Sequence, residues 1–61
     1  MFHNEYNSLV TVEELCEMLM IGKSCAYHLL NSNAIKAFKI GRHWRIPRIA
    51  VEQYILKRSG L

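Results

Sequence analysis

Apolar residues recur at Val12, Leu15, Cys16 and Leu19, the i, i+3, i+4, i+7 spacing that lines one face of an α-helix. The pattern predicts a helix from Thr11 to about Met20, with Met18 and Met20 broadening the buried stripe. Thr11 and Glu14 supply its start as a T-x-x-E capping box, in which hydroxyl and carboxylate satisfy backbone N–H groups reciprocally. Glu13 and Glu14 also sit at the positive end of the helix dipole. Gly22 is the residue expected to accommodate the turn that stops this helix. A second helix is predicted from Lys23 to about Leu30, with Ala26, Leu29 and Leu30 facing inward. Lys23, Ser24, Tyr27 and His28 are then left on its outer face. Asn31, Ser32 and Asn33 are turn chemistry and end it.

The period then changes from 3.6 to 2. Phe38 and Ile40 flank Lys39, Trp44 and Ile46 flank Arg45, and Gly41 lies between the two segments, which reads as a β-hairpin. If apolar residues share one face, Ile40 opposes Trp44 and Phe38 opposes Ile46, with a three-residue loop of Gly41, Arg42 and His43. That register leaves Lys39 and Arg45 facing each other on the outer side. Like charges so placed are destabilising unless an anion meets them, or they form a charged edge that blocks aggregation. Pro47 suits a helix start, and a third helix is expected from Arg48 to about Arg58, burying Val51, Tyr54 and Ile55. Met1–Ser8 show no periodicity and read as a flexible arm, with Tyr6 or Leu9 the candidates for pinning it to the core; residues 9–61 form a single domain. The fold class is α+β, mainly α: two N-terminal helices, a β-hairpin and a C-terminal helix.

Charge sharpens this outline. All eight lysines and arginines follow Gly22, whereas four of the five acids precede it. Residues 1–22 therefore carry −4 and residues 23–61 carry +8 − 1 = +7, summing to the net +3. Such asymmetry gives either a solvated basic surface or a face suited to a polyanion. Cys16 and Cys25, without CxxC spacing, suit free thiols in a reducing compartment. The first residues lack a basic and apolar leader pattern, and no apolar run reaches the roughly 20 residues that span a bilayer; the expected location is the cytoplasm, in association with the nucleoid. No carboxylate pair, Gly-rich phosphate loop or nucleophile–base arrangement stands out, and 61 residues leave little room for a catalytic pocket. An enzyme is not expected, and neither is a cofactor. Cys25 and His28 are three apart, but Cys16, His3 and His43 are scattered over unrelated segments, so no metal site is expected either.

Two helices joined by a tight turn at Ile21 and Gly22, the second opening with Lys23, have the layout of a helix-turn-helix. Lys23, Ser24, Tyr27 and His28 can reach phosphates and base edges, or be a packed phenol and a solvated imidazole. With these helices, the run Phe38-Lys39-Ile40-Gly41-Arg42-His43-Trp44-Arg45-Ile46-Pro47 resembles the winged helix-turn-helix domain of excisionases, the recombination directionality factors of mobile elements, which is related to MerR-like DNA-binding domains. The resemblance runs from about Leu9 to Leu56. It implies a second helix in the major groove of double-stranded DNA through Lys23, Ser24, Tyr27 and His28, and a wing contacting DNA through Lys39, Arg42, His43 and Arg45. It further implies bending of attachment-site DNA and a separate integrase or recombinase as partner; the small reading surface itself suggests cooperative self-association on DNA. Gly22 stands where relatives carry a hydroxyl cap, and Cys25 and His28 where many carry threonine or arginine, so base preference does not transfer. Two alternatives stay open: a small transcriptional regulator using the same domain, and an adapter acting through the acidic face of the first helix.

Overall fold

The computed structural model describes residues 8–60. Its elements run β1 (Leu9–Val10), α1 (Val12–Leu19), α2 (Lys23–Asn31), β2 (Phe38–Ile40), β3 (His43–Pro47) and α3 (Arg48–Ser59). The Thr11 capping box forms in full: the Glu14 N–H donates to the Thr11 hydroxyl at 3.1 Å, and the Thr11 N–H donates to Glu14 Oε1 at 2.8 Å.

The end of α1 departs from expectation. Met20, not Gly22, takes the left-handed conformation, at φ 58°. The Ile21 N–H reaches the Cys16 carbonyl and the Met20 N–H the Glu17 carbonyl, a Schellman closure built on a residue with a Cβ. Its side chain is 90% exposed, so Met20 adds nothing to the apolar stripe. Gly22 instead has extended φ and serves as the N-cap of α2, without a side-chain hydrogen bond. At the end of α2 the same geometry falls on Asn33, φ 65°, a residue type that tolerates it.

The core gathers Val10, Val12, Leu15, Ala26, Leu30, Ile35, Ile46 and Val51, each at most 7% exposed. Ala26 at the centre lets α1 and α2 approach closely. Ile35 and Val10 join this core without periodicity to announce them. Val10 is there because Leu9–Val10 adds a strand to the wing: Leu9 pairs with Pro47 and Val10 with Ile46, giving an antiparallel sheet of order β1-β3-β2. The Arg48 N–H donates to the Ser8 carbonyl at 2.9 Å and its Nε to the Ser8 hydroxyl at 3.1 Å, tying the residue before β1 to the start of α3. Ser8, expected at the end of an arm, is thus held; the rest of that arm, Tyr6 included, lies outside the described residues.

The hairpin corrects the expected register. Phe38 pairs with Arg45, Lys39 with Trp44 and Ile40 with His43, leaving a two-residue loop of Gly41 and Arg42. Gly41 has φ +63°, and Arg42 is not among the positive-φ residues, the sign pattern of a Gly-first primed hairpin turn, whose twist matches the strands it joins. Turn geometry outweighs apolar matching here because β2 is an edge strand that extends past the core. Side chains alternate faces along a strand, so Lys39, Trp44 and Ile46 share the inner side. Phe38 and Ile40 lie outside with His43 and Arg45, at 46% and 57% exposure. Lys39 therefore does not face Arg45; its ammonium lies 5.1 Å from the Trp44 ring centroid and covers the indole. On α3, Val51 is buried and Tyr54 half-buried, but Ile55, expected inside, is exposed.

Candidate nucleic-acid interface

The hairpin and α2 meet across one open cleft. Its walls come from Thr11, Val12 and Glu13 at the start of α1, Tyr27 on α2, and Arg42, His43, Trp44 and Arg45 on the wing. Four of the sequence-derived site residues, Tyr27, Arg42, His43 and Arg45, are thereby brought together. The juxtaposition follows from the core: Ala26 and Leu30 turn the inner side of α2 against α1, while Ile46 seats β3. Tyr27 follows Ala26 and is left at 41% exposure on the cleft side.

The other four fall outside this wall. Ser24 and His28 are exposed on α2, one helical turn apart on a common side. Lys23 stands at the rim, its Nζ 3.4 Å from Glu13 Oε2. Lys39 is not part of the lining and lies over the Trp44 ring, on the strand face away from His43 and Arg45. Arg45 is half-buried and its guanidinium donates to the Trp44 carbonyl at 3.2 Å, so it is partly fixed before any ligand arrives. Arg42 and His43 are exposed at the tip.

Reading the sequence did not place Thr11, Glu13 or Trp44 in this region. Asn31, expected in the turn, belongs to α2 and is exposed, four residues on from Tyr27 and three from His28. Glu13 is the first of three acids on α1, and only the packing of α1 against α2 singles it out as the one beside Lys23. The Glu13 carboxyl is held below the usual carboxylate range, first by hydrogen bonding from its own backbone N–H and then by the Lys23 ammonium. Among the described residues no group of three or more His, Cys, Asp or Glu side chains could hold a metal ion. No helix among them is long and apolar enough to cross a membrane.

Two short helices joined by a tight turn, a three-stranded sheet and a wing beside the second helix define a small winged helix-turn-helix. Comparison with known proteins agrees: the helix-turn-helix domain family matches residues 9–59, and the chain belongs to it. It is also 44% identical over 46 residues to a protein of Saccharopolyspora erythraea described as a probable excisionase, a match covering 75% of this chain. The aligned region is 47% of that relative, so the chain spans about half the length of the protein it resembles. No solved structure matches.

Proposed function

We propose that this domain binds double-stranded DNA as an excisionase-like accessory factor, bending attachment-site DNA so that a separate integrase excises a mobile element. The observation that carries the reading is the convergence of Tyr27 on α2 with Arg42, His43 and Arg45 of the wing on one cleft. A helix in the major groove places its neighbouring wing on the sugar–phosphate backbone. Lys23, Ser24, Tyr27 and His28 are assigned to the groove and Arg42, His43 and Arg45 to the backbone. Lys39 lies over the Trp44 ring and outside the cleft lining, and its role is the weakest of the eight. The likeness to a probable excisionase supports the recombination role. A reading surface this small selects poorly alone, so several copies are expected on neighbouring sites.

The test is a salt series of duplex binding with the doubly substituted Arg42→Ala, Arg45→Ala protein. Each lost phosphate contact flattens the log–log salt dependence by about 0.9, so a change approaching 1.8 is expected, with weaker binding to every sequence. An unchanged affinity and slope would remove the wing from the interface. Preference of the unaltered protein for the ends of a mobile element over promoter DNA supports the excision role. The reverse preference transfers the same geometry to a transcriptional regulator.

A further inference from the structure

We infer that Glu13 is a specificity-determining residue of this interface: it holds Lys23 in the free protein and suppresses binding to DNA of arbitrary sequence. The inference rests on the DNA-binding reading above and deepens it. Among the described residues that line the cleft, Glu13 is the single acid, set among Tyr27, Arg42, His43 and Arg45. An anion is an odd occupant of a surface meant to receive phosphate, and Glu14 alone already supplies the first turn of α1 with a dipole-favoured carboxylate. The capping box of α1 is made by Thr11 and Glu14, leaving the Glu13 side chain 67% exposed with no packing role. Among the described residues its ion-pair partner is Lys23, the first residue of α2, at 3.4 Å.

The consequence is a competition. A phosphate that approaches the rim meets Lys23 already paired and Glu13 repelling it. Binding that draws only on backbone charge therefore loses one cation and gains one opposing anion. A duplex that also satisfies Ser24, Tyr27 and His28 with base edges recovers the loss through contacts that random sequence does not offer. Glu13 thus lowers the non-specific term more than the specific one, and the ratio of the two is what selects a site among competing DNA.

The experiment measures binding of the full chain to a duplex of random sequence and to the best duplex that the unaltered protein selects from a randomised library, both across a salt series. Glu13→Gln is expected to tighten random-sequence binding roughly fivefold at low salt, the scale of one surface charge, and to steepen its salt slope by about 0.9 as Lys23 becomes free to displace a counterion. The ratio of selected to random affinity falls. Two further variants separate this pairing from a simple change in net charge. Glu17→Gln, an exposed acid of the same helix outside the cleft lining, leaves the slope unchanged. In a Lys23→Gln background, Glu13→Gln loses most of its effect.

An equal gain from Glu17→Gln, an undiminished gain without Lys23, or weaker binding by Glu13→Gln would each overturn the assignment. Unaltered protein that binds DNA with a salt slope insensitive to Glu13 refutes this inference alone. Unaltered protein that binds no duplex at low salt refutes the DNA-binding reading and this one with it.

Discussion

The helix pair and the wing solve the problem of position differently. Between α1 and α2, contact is made by side chains with no exposure left: Leu15 and Ala26 are at 0% and Leu30 at 3%. The wing has one such residue, Ile46, and otherwise depends on its ladder to β1 and on Lys39 covering Trp44. Its second strand, β2, is exposed along its whole length. Burial fixes the helix that is assigned to read DNA, whereas backbone pairing fixes the ribbon assigned to hold it. The difference teaches that this domain spends its small core on α2.

The comparison breaks most visibly at Leu15. Leu15→Ala opens a void where α1 meets the core and is expected to cost about 2–5 kcal/mol. For a domain of this size that is a large part of the total, and urea denaturation followed by circular dichroism checks it. A smaller effect of opposite sign is expected at Met20. Met20→Gly relieves a left-handed residue whose side chain packs on nothing, and should stabilise by roughly 0.5–1 kcal/mol, read as a higher melting temperature. The smallest effect belongs to the wing. Phe38→Ser changes a residue on the outer side of the hairpin and should move stability by no more than about 0.5 kcal/mol. A loss of several kcal/mol at Phe38 would restore the register in which Phe38 opposes Ile46 and sink the one described above.

These same regions differ in how far the chain announces them. The stripe of Val12, Leu15, Cys16 and Leu19 and the Thr11–Glu14 box predicted α1 closely, because both signals are local and helical spacing admits one buried side. The hairpin was legible as a hairpin but not in its pairing. Alternation alone does not say how far an edge strand runs beyond the core, and Gly41 decided the loop by its own conformation. Val10 gave no signal at all, since two residues have no period and their partner, Ile46, is remote in sequence. The site was half legible. Tyr27, Arg42, His43 and Arg45 were singled out separately, on the helix and on the wing, and their meeting on one cleft had no signal in the chain. Lys39 follows the corrected register onto Trp44. Glu13 depended on where two helices cross, which no spacing along one helix encodes.

The pairing of β1 with β3 has a consequence in time. Val10 precedes Ile46 by 36 residues, so the two cannot meet until nearly all of the domain has been made. At ordinary translation rates of about 5–20 residues per second the first strand waits about 2–7 s for its partner. The capping box and the Schellman turn need only neighbours a few residues away and can close during that interval. Loop-closure entropy reinforces the order, because the strand pairing bridges a segment that includes both helices and half the hairpin. The earliest of the core residues to be synthesised is thus among the last to find its place, and the wing is locked only when it arrives.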